Sequence, residues 1–294
     1  MLLIAGGAAD PQIALLRGRA AERGIDHRVL LTGPGGGVEL VWDLESGALR
    51  LGGEVIVPGA AFVRQDVFLF LRTKRQLDRD DGRAWKVLLD GWLWSNPDVR
   101  LFNRGFAMKD AVNKPLALLW AREAGLAIPR TALHASVAAA RAALEAGPVV
   151  YKPVAGGDMC RALDTAALDR VSAPHLPRPY IFQERLVPPE TRVFRIGERL
   201  MAFRVEADAL DYRTAGGDVR IAPVPVPEGV TEGLLALTDR LGLNWAAADF
   251  KAREGSGEPI FLEVNSSPMF AAFDRASGGA LVDGMLDWLT DPAV

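Results

Sequence analysis

Residues 246–265 read AAADFKAREGSGEPIFLEVN, and this stretch decides more about the chain than any other. Two apolar runs flank Glu254-Gly255-Ser256-Gly257, a turn-forming tetrad, so the segment reads as a β-hairpin. Centring the hairpin on Ser256 sets Asp249 directly opposite Glu263, with Asn265 two residues further along the same face. Opposed like charges destabilise a sheet. A divalent cation reverses that sign. Three hard oxygen donors, completed by phosphate and water, suit Mg²⁺ better than Zn²⁺, which prefers His or Cys. The alternative is an exposed acidic hairpin, which the apolar flanks disfavour.

Upstream, Tyr180–Leu186 reads as a strand running into a Val187-Pro188-Pro189 break, where backbone groups are left to pair with an adenine edge. Glu190-Thr191-Arg192 then opens a second hairpin, with Gly197-Glu198 as a type II′ turn. Alternation puts Glu190 and Arg192 on one face with Phe194 and Ile196. They form either a buried ion pair or a device that addresses a sugar hydroxyl and a transferring phosphoryl group.

Two lysines stand at element ends. In Asn113-Lys114-Pro115, proline suits the first helical turn and Gly125 the stop, so Lys114 sits where the helix dipole disfavours a cation. A bound anion relieves that conflict; a solvated surface lysine is the plain alternative. Lys152 ends the apolar run Val149-Val150-Tyr151 and is held extended by Pro153. The loop beyond it carries Gly156 and Gly157, which let backbone N–H groups approach a phosphate. A lysine that snorkels past a strand end is the competing reading.

The rest of the chain supplies context. Leu2–Ala5, Pro11–Arg23 and Arg28–Leu31 read as a β-α-β start, ending at glycines that lack dinucleotide-fingerprint spacing. Short strands are expected over Val38–Leu44, Leu49–Leu51 and Ala61–Arg64, then a helix over Ala84–Trp94 in which Trp85, Trp92 and Trp94 pack. Arg72, Lys74 and Arg75, followed by Asp78, Asp80 and Asp81, read as a solvated face or a docking surface for an acidic partner. A net charge of −3 gives no general attraction to nucleic acid or anionic membranes. No apolar run approaches the roughly 18 residues that cross a bilayer, and the amino terminus lacks the basic start of a signal peptide. The single cysteine, Cys160, excludes an intrachain disulfide and fits a reducing compartment, so the cytoplasm is expected. His27, His134 and His175 are scattered and form no triad or metal-ligand spacing.

Taken in order, NKPLALLWAREAGLAIPRT, VVYKP, IFQERL, ETRVFRIGERLMAF, DYR, AAADF and FLEVNSSP resemble the ATP-grasp superfamily, in particular its RimK-like and graspetide (microviridin-type) peptide ligases. The resemblance runs from Trp92 to Pro268. It implies an α/β chain of α+β subdomains: an N-terminal α/β domain (1–107), a central lid subdomain (108–187) and a C-terminal ATP- and Mg-binding subdomain (188–294). It further implies that Lys114 and Lys152, with the Gly156-Gly157 loop, contact ATP phosphates. Gln183, Glu184 and Leu186 would line the adenine hinge, Glu190 would bind ribose, and Asp249, Glu263 and Asn265 would hold Mg²⁺, or Mn²⁺ in its place. Arg192 would stabilise charge on the transferring phosphoryl group, and Arg213, in Asp211-Tyr212-Arg213, would face the substrate. Where related ligases carry a basic residue near the end of the second hairpin strand this chain has Glu206, and Arg204 stands as its substitute.

The implied chemistry is phosphoryl transfer from ATP to a carboxylate, then attack by an amine or hydroxyl on the acyl phosphate. Positioning and charge neutralisation do the catalysis, which fits the lack of a nucleophilic triad. Three readings follow: a ligase modifying a peptide or protein, a ligase joining free amino acids or other small metabolites, and a nucleotide-binding module without turnover. A peptide enzyme is expected to carry a binding strip in which Arg64, Arg72 and Lys74 pair with acidic residues. A homo-oligomer is compatible with the sequence.

Overall fold

The computed structural model describes the chain except residues 34–38, 67–75, 107–111, 155–159, 208–218 and 292–294, with residues 76–82 as backbone only. It forms two compact units, one of Met1–Arg104 with Met269–Val294, the other of Gly105–Pro268.

The first unit opens with β1 (Leu2–Gly7), α1 (Pro11–Glu22) and β2 (His27–Thr32), as the apolar spacing predicts. Asp10 caps α1 by accepting a hydrogen bond from the Gln12 N–H at 2.8 Å, and Pro11 sits in the first turn, where no intrahelical N–H bond is lost. Then follow β3 (Leu40–Trp42), β4 (Leu49–Leu51), β5 (Glu54–Ile56), β6 (Ala60–Val63), α2 (Gln76–Ser95) and β7 (Arg100–Leu101). The strand expected from Val38 begins at Leu40, Val38 itself lying outside the described residues, and β5 was not anticipated. The order β2-β1-β6-β7 is all parallel, whereas β3-β4-β5 is a small antiparallel meander. Trp92 packs in the core and donates to the Gly47 carbonyl at 3.1 Å, but Trp94 is 67% exposed and does not pack as expected.

Arg64 corrects a second expectation. It is buried and paired with Asp10 at 2.7 Å, so it is not available to an acidic peptide. Arg72 and Lys74 lie outside the described residues.

The second unit begins with α3 (Lys114–Glu123), β8 (Thr131–Ser136), α4 (Val137–Glu145), β9 (Val149–Pro153), β10 (Arg161–Ala162), α5 (Thr165–Asp169) and β11 (His175–Glu184). It continues with β12 (Val187–Ile196), β13 (Arg199–Glu206), β14 (Arg220–Val224), α6 (Thr231–Leu241), β15 (Trp245–Ala252) and β16 (Pro259–Asn265). The chain returns to the first unit in α7 (Ala271–Ala276) and α8 (Ala280–Thr290), where Oε1 of the Gln12 side chain accepts from the Phe270 and Ala271 N–H groups.

Two antiparallel sheets organise the second unit. One has the order β10-β9-β11-β8 and packs Val149 and Phe182 against Val137 and Ala140 of α4. The other has the order β14-β13-β12-β15-β16. Its inner face presents Val193, Ala202, Ala248, Phe250 and Val264 to Leu118 and Ala121 of α3 and Leu234 and Leu237 of α6. Truncating a buried phenylalanine such as Phe250 in this layer costs about 3–5 kcal/mol. Gly242 ends α6 with φ +73°, and a Cβ there would collide with the Gly105 carbonyl, so this stop requires glycine. The Gly197-Glu198 turn joins Ile196 to Arg199 with φ +58° at Gly197 only, the type II′ signature. The expected break at Val187-Pro188-Pro189 is instead the irregular start of β12, its register on β15 shifting between Val187 and Thr191. Among the described residues no helix is long and apolar enough to cross a membrane.

Candidate functional site

The face of the five-stranded sheet turned away from α3 and α6 carries the chemistry. On β15 and β16, Asp249 stands opposite Glu263 and Ala247 opposite Asn265, the register that centring on Ser256 requires. An irregularity between Asp249 and Phe250 then shifts the pairing by one, so that Phe250 faces Phe261 on the apolar side. The bulge leaves the carboxylates together on one face and both phenylalanines in the core.

β12 adds a second layer of charge. Arg192 lies opposite Asp249, and its Nε and Nη2 donate to the two carboxylate oxygens at 2.6 and 2.7 Å. Both residues are buried, and a bidentate fork of this kind fixes the guanidinium in one orientation. Further along the same face, the Lys251 ammonium lies 3.2 Å from Oε2 of Glu190. Burial pushes the Glu190 carboxyl above its ordinary value and the Asp249 charge adds to this, against the pull of Lys251 and Arg192.

The two singled-out lysines meet on the third carboxylate. Lys114 Nζ lies 3.2 Å and Lys152 Nζ 3.7 Å from the same oxygen of Glu263. Lys114 is at the amino end of α3, capped by Asn113, whose side chain accepts from the Leu116 N–H. The carboxylate of Glu263 supplies the negative charge that this helix end favours. Lys152 reaches the cluster because β9 alternates: Val149 and Tyr151 face α4, and Val150 and Lys152 face away. Burial pushes its ammonium below the ordinary value; Glu263 opposes this and Lys114 adds to it.

Of the described side chains, Lys114, Lys152, Arg192 and Lys251 thus surround Glu190, Asp249 and Glu263, cations outnumbering carboxylates. An ensemble of that sign suits a polyphosphate. No group of three or more His, Cys, Asp or Glu converges among the described residues, so an ion held by Asp249 and Glu263 needs Asn265, phosphate and water to complete its shell. Two carboxylates, an amide and phosphate oxygens are a fitting donor set for Mg²⁺.

The hinge candidates lie at the end of β11. Gln183 is buried and its amide donates to Thr131 Oγ1 at 3.1 Å, while Leu186 is buried between β11 and β12. The Glu184 carboxylate accepts from the Arg130 N–H and Nε at 3.0 and 2.9 Å and from Arg253 at 3.1 Å. Burial acts to raise the Glu184 carboxyl, but these donors outweigh it and hold the group below the ordinary carboxylate range. A cavity of about 250 Å³ is lined by Gln183 and Glu184, but also by Phe182, Val149 and the end of α4, so it opens on the face away from Lys152.

Not every candidate joins the cluster. Arg204 stands opposite Thr191, and is therefore on the other face of the sheet from Arg192; it is 51% exposed, and among the described residues it reaches Glu206, at 3.9 Å. The expectation that Arg204 serves the reacting groups fails on that alternation. Gly156, Gly157 and Arg213 lie outside the described residues. Sequence reasoning overlooked Lys251, whose signal was its position two residues after Asp249 on the same strand face.

No family model matches the chain, and no curated protein matches it by sequence. Solved structures match along its whole length. The ATP-grasp ligase PsnB, complexed with a phosphomimetic variant of minimal precursor, Mg and ADP, is 24% identical with a TM-score of 0.77, over 98% of each chain. The macrocyclase MdnC from Microcystis aeruginosa MRC, bound with precursor peptide MdnA, is 20% identical with a TM-score of 0.76, over 99% of each chain. A RiPP-associated ATP-grasp ligase of Chryseobacterium gregarium, in complex with ADP and a leader and core peptide, is 18% identical at 0.76, over 100% of this chain and 97% of that one. The chain has the ATP-grasp fold.

Proposed function

We propose that the chain is an ADP-forming ATP-grasp ligase that activates a carboxylate of a peptide or protein and joins it to an amine or hydroxyl. One observation carries the reading: Lys114, Lys152, Arg192, Asp249 and Glu263, drawn from five elements, converge on one face. In this reading Lys114 and Lys152 leave Glu263 for the phosphates, which are the stronger anions. The backbone at Gln183, Glu184 and Leu186 takes the adenine edge and Glu190 the ribose. Asp249, Glu263 and Asn265 hold Mg²⁺, which when bound neutralises charge on the phosphates. Arg192, held rigid by Asp249, presents its guanidinium edge to the oxygen on which charge develops during phosphoryl transfer. Arg213 would face the substrate.

The peptide substrate is favoured because each ligase compared above was solved with a precursor or leader and core peptide, at nearly full coverage of both chains. The subdomain boundaries after residues 107 and 187 and a cytoplasmic location belong to the same proposal. The test is ATP and Mg²⁺ with acidic peptides carrying Thr, Ser or Lys. ADP, phosphate and a product lighter by one water are expected. AMP would contradict the acyl-phosphate route, turnover of free amino acids alone would replace the peptide, and absence of turnover with retained ADP binding would make the chain a binding module.

A further inference from the structure

Beside the Arg192–Asp249 pair stands a second pair of reversed polarity. The β12·β15 register runs Arg192↔Asp249 and Thr191↔Phe250 and turns irregular beyond Thr191, where the side chains of Glu190 and Lys251 meet at 3.2 Å. The four charges form a checkerboard in which each has an opposite charge across the strand and another along it. Only the diagonals, Glu190 with Asp249 and Arg192 with Lys251, are alike. Lys251 offsets the repulsion between the Glu190 and Asp249 carboxylates. Lys251 bonds Oε2 of Glu190; the carboxylate's other oxygen, Oε1, has no partner among the described residues. Both side chains are 14% exposed, so the pair is largely shielded from bulk water.

Resting on the nucleotide-site reading above, we infer that Lys251 is a positioning residue: it anchors one oxygen of Glu190 so that the other accepts a sugar hydroxyl, and thereby sets a preference for ribonucleotides over deoxyribonucleotides. A lysine placed there only to stabilise the sheet would affect all nucleotides equally. Calorimetric titration of the full chain with ADP, 2′-deoxy-ADP and 3′-deoxy-ADP, each with Mg²⁺, separates the two roles. The native chain is expected to bind ADP about tenfold more tightly than at least one deoxy form, the loss that follows from removing a hydrogen bond to a charged acceptor. Lys251→Met should erase most of that ratio, and Lys251→Arg, which keeps the cation, should restore it. Lys251→Gln gives the same comparison if the methionine variant loses its thermal transition. A Lys251→Met chain that weakens all three ligands by one common factor overturns the inference, as does a native chain that binds all three equally. A native chain that binds none of them overturns the nucleotide site itself.

Discussion

The Arg64–Asp10 pair of the first unit and the Arg192–Asp249 pair of the second have the same chemistry and nearly the same burial. Arg64 and Asp10 are closed in: their side chains are 2% and 0% exposed, and Asp10 also caps α1. Arg192 and Asp249 are each 8% exposed and border Glu190, Lys251 and Glu263, charges that extend the network towards two further lysines. A buried pair whose two carboxylate oxygens are both engaged inside the fold holds a helix start in place. A buried pair at the edge of a larger, cation-rich array is arranged for something that arrives. Burial and pairing do not separate the two cases; the neighbours do.

The largest expected effect would break this comparison outright. Asp249→Asn or Glu263→Gln should lower ADP formation by about 10³-fold or more, while circular dichroism shows the native fold retained. Full activity in both variants would mean that the second pair is as structural as the first.

Asp10→Ala should do the reverse. It removes the carboxylate that the buried Arg64 guanidinium meets, together with a helix cap, and urea denaturation should show a loss of about 3–5 kcal/mol. A small loss would mean that the first pair is not closed.

A weaker effect is expected at Glu184, whose lowered carboxyl comes from Arg130 and Arg253. An acid held below its unfolded value contributes stability in full above that value, 4.5 for glutamate, and loses it as pH falls through the folded one. Glu184→Gln should therefore flatten the acid limb of a stability–pH curve and leave the neutral limb parallel to native. The smallest effect is expected for Arg204→Ala. On the far face of the sheet it should change turnover by less than about twofold, and a large loss would show that the face assignment by alternation is incomplete.

Much of the site was legible because it rests on local rules. The Glu254–Gly257 turn and strand alternation were enough to place Asp249 opposite Glu263, and Gly197-Glu198 named its own turn type. The Ser136 cap on α4, accepting from Ala139 N–H, shows the same local chemistry at work. What was misread was non-local. Arg64 looked available to a peptide, yet its partner lies 54 residues away. Arg204 looked like a substitute for a basic residue near the end of β13, but pairing with Thr191 turns it to the face opposite Arg192. Lys251 drew no attention, since its meaning depends on a carboxylate carried by a different hairpin.

By itself the sequence determined the hairpins, their turns, the helix caps and the side of each strand on which a charge falls. Those follow from dihedral preference and from the periods of strand and helix, which act over a few residues. Only the tertiary structure decided which cation meets which carboxylate: Arg192 with Asp249 across 57 residues, Lys114 and Lys152 together on Glu263. Such pairings require closing long loops and choosing one register among several, and a shift of a single residue would turn every one of these charges to the other face.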